Sequence, residues 1–311
     1  LNFQQLRSVR EAVRRNFNLT DVAEALFTSQ PGVSRQIREL EDELGIRIFE
    51  RSGKRLTGLT EPGKRLLPIL ERLLQEADNM RRAGEDFTRE KQGALTVFTT
   101  HTQARYTLPG AVRDFSERYQ DVVLHLNQGA PQHVAEMVLS GEADIGIATD
   151  VLTTYDDLVV LPCYRWTYVA VVPQGHPLAD GSPLTLQALA RYPLISYNSG
   201  YTGRANLDEA FRSEGLTPHY RILAMNADVI KTYVELGMGV GVLARMAHDD
   251  ERDKSLVAID AAHLFEANTT HLAVRRGAYL RAYAYAFIEI FAPPLTRAVV
   301  EAAQLQPPRA G

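Results

Sequence analysis

Apolar positions in the first 60 residues recur in short runs at helical spacing. Leu6, Val9 and Val13 mark a first helix. Asn18-Leu19-Thr20 interrupts the pattern, and Thr20 is expected to N-cap a second helix, 20–27, with Val22, Ala23 and Leu26 inside. Thr28-Ser29-Gln30 reads as a polar turn. Pro31 suits the first turn of a third helix, 31–43, where its missing N–H costs nothing. Val33, Ile37, Leu40 and Leu44 line its inner face, and Gly45 stops it. Ile46–Arg51 then alternates apolar and charged, Ser52–Arg55 turns, and Leu56–Leu59 returns, which predicts a short β-hairpin, or wing.

Thr60 is placed to cap a long helix with Pro62 in its first turn. Leu66, Leu70, Leu73, Ala77 and Met80 follow at spacings of 4, 3, 4 and 3, the period of a coiled-coil seam. A solvated helix can carry the charges of its other face, but five positions in phase favour pairing of two copies. Residues 89–93 are polar and read as a hinge. Beyond them strands and helices alternate. Strands are expected at 95–99, 122–126, 143–148, 166–172, 194–197, 222–224 and 239–243, and helices at 108–119, 131–139, 204–212 and 228–236. This is α/β organisation with mostly parallel sheets, long enough for two adjoining subdomains.

The chain has 311 residues, 45% hydrophobic and 23% charged, which excludes disordered and low-complexity classes and suggests two or three domains. One cysteine, Cys163, excludes an internal disulfide framework and a Cys-rich zinc site. No apolar run reaches the ~18 residues of a membrane span. The first residues, Leu1–Arg7, are amphipathic without the apolar core of a signal peptide, so a cytoplasmic protein is expected. The net charge of −4 argues against nucleic acid as an average. Residues 1–58, however, carry ten Lys/Arg against eight Asp/Glu, whereas residues 93–311 carry seventeen against twenty-three. Phosphate contacts are local, so the basic clusters at Arg10/Arg14/Arg15, Arg35/Arg38 and Arg51/Lys54/Arg55 matter more than the sum.

The second and third helices form a helix–turn–helix. Gln30, Pro31, Ser34, Arg35 and Arg38 lie on the face of the third helix opposite its apolar stripe. Gln and Arg present the paired hydrogen-bonding groups that match base edges in the major groove. Arg51, Lys54 and Arg55 on the wing are candidates for phosphate or the minor groove. An ordinary helical hairpin with a solvated face is the bland alternative, and the adjacent basic hairpin favours DNA.

Ala23-Glu24-Ala25-Leu26, Ser29 through Ile37, Leu40-Glu41-Asp42-Glu43-Leu44-Gly45 and Phe49-Glu50-Arg51 together resemble the DNA-binding signature of LysR-type transcriptional regulators. Thr60-Glu61-Pro62-Gly63 fits the start of that family's linker helix. The resemblance extends over the whole chain. It implies a winged helix–turn–helix at 1–59, a linker and dimerisation helix at 60–92, and an effector-binding domain at 93–311. The latter implies two Rossmann-like subdomains of the periplasmic-binding-protein type, about 93–163 with 267–311, and 164–266. Thr99–Tyr106, Tyr155–Leu158, Leu161–Trp166, Tyr201–Arg204 and Ala227–Tyr233 are similar to the CysB/Cbl subgroup, which controls sulfur assimilation. Arg165, where His is expected, and Asn198-Ser199 depart from it. By that resemblance Thr100, Thr102, Gln103, Thr149, Trp166 and Thr202 line a cleft holding sulfate. No cofactor is implied beyond a small effector: sulfate, thiosulfate or an acetylserine. Double-stranded promoter DNA, RNA polymerase, and a homodimer assembling into a homotetramer are the implied partners.

The residues support a ligand site independently. Thr99–Gln103 and Tyr197–Arg204 each join a strand end to a helix, Thr149 ends a third strand, and open α/β sheets bind ligands at such ends. The group is poor in cations, yet neutral donors can hold a desolvated anion. Singly, each threonine could be a helix cap and Trp166 a core aromatic. Gly237–Gly241 follows a helix and opens a strand, the reverse of a dinucleotide fingerprint, and reads as tight packing. Asp156-Asp157 reads as a loop, His101 as a hydrogen-bonding or capping residue, and Cys163 as a buried small side chain.

The sequence thus points to a DNA-binding regulator of cysteine biosynthesis or sulfur assimilation. The alternative within the class is a regulator of sulfonate or sulfate-ester use sensing sulfate or an activated sulfate. A solute-binding protein would lack the DNA-binding head. An enzyme would need a nucleophile–base pair or a metal cluster, and no such motif is present.

Overall fold

The computed structural model describes residues 1–53, 55–88 and 92–307, with the side chain of Thr202 left aside. Lys54 and most of the expected hinge fall outside the described residues. The chain forms two compact units, 1–87 and 88–311. No helix among the described residues is long and apolar enough to cross a membrane.

The first unit opens with α1 (Phe3–Arg14), held by a reciprocal capping box in which Asn2 and Gln5 exchange backbone-to-side-chain bonds of 2.9 and 3.0 Å. The second helix, α2 (Leu19–Ala25), begins one residue before the expected start. Its cap is Asn18, not Thr20: the Asn18 side-chain oxygen accepts from the Thr20 backbone N–H at 3.1 Å. The third helix, α3 (Gln30–Leu44), is capped by Ser29 and ends at Gly45, whose φ of +68° few other residues adopt cheaply. The wing is an antiparallel pair, β1 (Phe49–Ser52) and β2 (Arg55–Leu59), irregular between Glu50 and Arg51. Val9, Val22, Val33, Ile37, Leu40, Ile48 and Leu56 form the core.

The long helix α4 (Glu61–Thr88) starts where expected, with Thr60 Oγ1 accepting from the Gly63 N–H at 3.0 Å. A Cβ on Gly63 would stand 2.1 Å from the Ile48 carbonyl oxygen, so this glycine lets the helix seat against the base of the wing. The expected seam divides. Leu70 and Leu74 are buried in the first unit's core and Leu66 packs against it. Leu73 and Met80 are exposed, together with Ile69 and Phe87. The helix carries two apolar stripes, and the sequence spacing had merged them.

The second unit contains β3 (Gly93–Thr99), α5 (His101–Tyr106), α6 (Leu108–Arg118), β4 (Val122–Gln128), α7 (Pro131–Ser140), β5 (Ile145–Ala148) and β6 (Leu158–Trp166). It continues with β7 (Tyr168–Pro173), α8 (Leu186–Leu189), β8 (Leu194–Tyr197), α9 (Thr202–Ser213), β9 (Tyr220–Ala224), α10 (Ala227–Glu235) and β10 (Val240–Ala244). β11 (Leu256–Asp260), β12 (Asn268–Arg275), α11 (Ala282–Phe291) and α12 (Arg297–Leu305) complete it. Two five-stranded sheets result, ordered β4-β3-β5-β12-β6 and β11-β7-β10-β8-β9. The sheets are mixed rather than mostly parallel. β3 runs parallel to β4 and β5, and β8 to β9 and β10, whereas β12 and β7 pair antiparallel with both neighbours. β12 and β7 are the strands that enter each sheet directly from the other subdomain, without a covering helix to return them in parallel.

The chain crosses between sheets at Thr167, so Trp166 ends β6 and does not begin the strand expected at 166–172. That crossing lies a few residues past the 163/164 division expected from sequence. β6 itself was not anticipated. Pro162 lies inside it, and its register with β12 slips at Cys163, so its apolar alternation is broken. Phe115, Phe287 and Val300 cover one face of the first sheet, and Val134 and Val138 the other. Leu207 and Phe211 cover one face of the second, and Ile230 and Val234 the other.

Candidate functional site

On α3, Gln30, Pro31, Arg35 and Arg38 are exposed and Ser34 is half-buried. Arg35 Nε pairs with Glu39 at 2.7 Å, and Arg38 Nη2 donates to Ser34 Oγ at 3.0 Å. These one-turn pairs hold both guanidinium groups along the outer helix face. Arg55 is exposed on β2, and Lys54 lies outside the described residues.

Arg51 takes a different part from the phosphate contact expected of it. Its Nη2 donates to Glu41 Oε2 at 2.9 Å. Glu41 is buried, and its Oε1 accepts from the Ile48 and Phe49 backbone N–H groups at 2.8 and 3.2 Å. Arg47 Nη1 reaches the same carboxylate at 3.3 Å. Burial alone would raise the Glu41 pKa, but the two backbone donors and Arg51 hold it below its ordinary value. Glu41 therefore binds the wing to the recognition helix. This task is not legible in the motif that contains Glu41, because its partners lie on another element.

In the second unit, Thr100, Thr102, Gln103, Thr149 and Trp166 meet around one small cavity of about 40 Å³ at the carboxyl ends of β3, β5, β8 and β10. The Thr202 side chain lies outside the described residues, and its neighbours Tyr201 and Gly203 line the cavity. His101, Tyr197 and Met225 also line it and were not singled out as site residues. Thr100 precedes α5 but makes no side-chain cap bond, so helix capping does not account for its hydroxyl.

Gln103 is held more tightly than a free ligand group. Its Nε2 donates to Thr270 Oγ1 at 3.0 Å. Its Oε1 accepts from Thr107 Oγ1 at 2.7 Å and from the Tyr164 hydroxyl. What remains to offer is its second amide hydrogen. In contrast, Trp166 Nε1 and His101 Nδ1 are buried without a hydrogen-bond partner. Burial pushes the Tyr197 pKa up to about 12, so it stays a neutral donor at physiological pH. Each unpaired buried group costs ~1–3 kcal/mol, a cost that a ligand rich in acceptors removes.

The same helix that lines the cavity also spans the cleft between the two sheets. The Tyr106 hydroxyl of α5 donates to Asp228 Oδ1 of α10 at 2.7 Å. Arg105 Nε and His101 Nε2 each stand 3.5 Å from Asp228 Oδ2. Burial and the neighbouring carboxylate raise the Tyr106 pKa. Lys231, one turn along α10, donates to both Asp253 oxygens at 2.9 Å. The cations near the cavity are thus paired with carboxylates, and the lining itself is neutral. That lining can solvate a small oxyanion through oriented dipoles. Among the described residues, no group of three or more His, Cys, Asp or Glu could hold a metal ion.

The chain matches the bacterial regulatory helix-turn-helix protein, lysR family, over residues 3–64, and the LysR substrate binding domain over residues 88–293. It is 56% identical over 300 residues to the HTH-type transcriptional regulator SsuR of Burkholderia cenocepacia, covering 96% of this chain and 97% of that protein. It is 51% identical over 303 residues to the regulator CysB of the same organism, covering 97% of each. The crystal structure of the cofactor-binding domain of the Cbl transcriptional regulator superposes with a TM-score of 0.66 at 42% identity, over 69% of this chain and 94% of that one.

Proposed function

The chain belongs to the LysR family of DNA-binding transcriptional regulators, and from that premise we propose that it controls sulfur-assimilation genes, cysteine biosynthesis first among them, in response to sulfate, thiosulfate or an acetylserine bound in the Thr100–Trp166 cavity. It is a regulator and not an enzyme. One observation carries the effector reading: the buried, unpartnered indole N–H of Trp166 borders the same cavity as the threonines. Thr100, Gln103 and Thr149 come from the first subdomain, and Tyr197 from the second. A ligand touching both favours one relative arrangement of the subdomains, which is the differential affinity a switch requires.

In this reading two chains pair through the exposed stripe Ile69, Leu73, Met80 and Phe87 of α4, and two pairs form a homotetramer in the cytoplasm. Each pair sets two recognition helices into successive major grooves of promoter DNA, with Gln30, Ser34, Arg35 and Arg38 toward base edges. Effector binding changes the spacing of the heads and thereby the contact with RNA polymerase.

Identity to SsuR exceeds identity to CysB of the same organism, so a second reading stands beside cysteine biosynthesis: control of sulfonate or sulfate-ester use. Footprinting on promoters of both gene classes separates them, with sulfate, thiosulfate, O-acetylserine and N-acetylserine added in turn. The proposal expects protection at a sulfur-gene promoter whose extent changes with one of the four. Protection of neither class, or a footprint indifferent to all four, contradicts it.

A further inference from the structure

We propose that Tyr168 is a positioning residue of the effector cavity. It holds Trp166 and the Gly203 turn from behind, with its hydroxyl tied to the strand on which the chain returns from the second sheet. The inference rests on the cavity being the effector site. Trp166 and Gly203 both line that cavity. Tyr168 is buried, and its ring meets the Trp166 ring edge-on, with 5.2 Å between centroids at 61°. Phe265 packs on the same ring at 5.3 Å and 69°. A Cβ on Gly203 would stand 3.7 Å from Tyr168 Cε1.

The hydroxyl is anchored through two amides. Asn206 Nδ2 of α9 donates to the Glu266 carbonyl oxygen at 3.3 Å and to Asn268 Oδ1 at 3.1 Å. A carbonyl only accepts, so the Asn206 atom turned to Glu266 is its nitrogen, and the Asn268 atom turned to Asn206 is its oxygen. That leaves Asn268 Nδ2 to donate to the Tyr168 hydroxyl oxygen, at 2.5 Å.

The place of these residues in the chain gives the bonds their consequence. Trp166 ends β6 and Tyr168 begins β7, with the outward crossing between them at Thr167. Asn268 opens β12, where the chain has just returned, and stands opposite Trp166 in the β6–β12 ladder. Asn268 thus faces Trp166 across the ladder and bonds Tyr168 through its side chain. Asn206 lies three residues along α9 from Gly203. One buried polar network therefore relates the cavity wall to both crossings. Apolar side chains of similar size would fill this space without fixing the direction of the Tyr168 ring. A Tyr168 ring cut loose lets Trp166 sample more directions, and a ligand that must reorder it binds more weakly.

Trp166 is the single tryptophan, so its fluorescence reads the cavity wall even without ligand. The test uses the full chain with Tyr168→Phe, Asn268→Ala and the two combined. Leu189→Ala, a void in the same core, controls for lost stability. Two quantities are read below the melting transition. One is the nanosecond anisotropy decay of ligand-free Trp166. The other is the calorimetric affinity for sulfate, thiosulfate, O-acetylserine and N-acetylserine. Tyr168→Phe and Asn268→Ala are each expected to add a faster component to the decay and to weaken binding about three- to tenfold, the range of one net hydrogen bond. The combined variant is expected to bind no more weakly than the weaker single one, because both remove the same bond. Leu189→Ala is expected to lower the melting temperature and move neither quantity. An unchanged decay or an unchanged affinity in Tyr168→Phe overturns the proposal and leaves the effector cavity standing. So do losses that multiply in the combined variant, or a Leu189→Ala response equal to that of Tyr168→Phe. Failure of all four ligands to bind the unsubstituted chain removes the effector reading of the cavity, and this proposal with it.

Discussion

Glu41 of the recognition helix and Arg51 of the wing are joined by a 2.9 Å ion pair whose carboxylate is buried and also accepts two backbone hydrogen bonds. The wing's position on the N-terminal unit is therefore set from α3. Glu41→Ala is expected to destabilise the N-terminal unit by about 3 kcal/mol, because two backbone N–H groups and part of a cation lose their acceptor. Glu41→Gln, which keeps an acceptor, is expected to cost less. The folded pKa of Glu41 lies below its ordinary value of 4.5, so its contribution is complete above about pH 4.5 and is lost as pH falls through the folded value. Urea denaturation at pH 7 and pH 4 checks both statements: the gap between the unsubstituted protein and Glu41→Ala narrows at the lower pH.

The two stripes of α4 predict a separation of effects. Leu70→Ala opens a cavity in a packed core and is expected to cost about 2–4 kcal/mol of unfolding free energy. Leu73→Asp with Met80→Asp is expected to leave the midpoint of the N-terminal unit nearly unchanged and to lower the oligomeric state in sedimentation velocity. Equal loss of stability in both variants contradicts the division.

Cys163 is half-buried in the slipped register between β6 and β12, and burial pushes its thiol up to about 12. Little thiolate exists at neutral pH, and the thiolate is the reactive form. Labelling by a thiol reagent at pH 7.5 is expected to be at least about a hundredfold slower in the native protein than in urea. Rapid native labelling contradicts this account of the thiol.

Legibility in the sequence followed the range of the forces involved. The helix–turn–helix was readable because caps and helical periodicity are local: Ser29, Pro31 and Gly45 punctuate α3 from within a few residues. Asn18 replaced Thr20 as a cap because both types can cap and the backbone geometry decides. The seam was misassigned because Leu70 and Leu73 fit one heptad spacing, while Leu70 is buried in the first unit's core and Leu73 is exposed. β6 was hidden by Pro162 and a slipped register, and β12 pairs with a strand more than a hundred residues away. Five cavity residues were named from resemblance and from strand-end chemistry, and they do converge. The Asp228 contacts to His101, Arg105 and Tyr106 were invisible, since they depend on two subdomains meeting across a cleft.

Trp166 is the chain's single tryptophan, and it lines the cavity with its indole N–H buried and unpartnered. Its fluorescence is the most direct report on the effector site. Titration of the full chain with sulfate, thiosulfate, O-acetylserine and N-acetylserine is expected to give a saturable change with at least one of them, weakened about five- to tenfold in Thr102→Val through loss of one hydroxyl. An indole signal unmoved by all four, or a response of equal affinity in Thr102→Val, contradicts the assignment of this cavity as the place where the regulator senses sulfur.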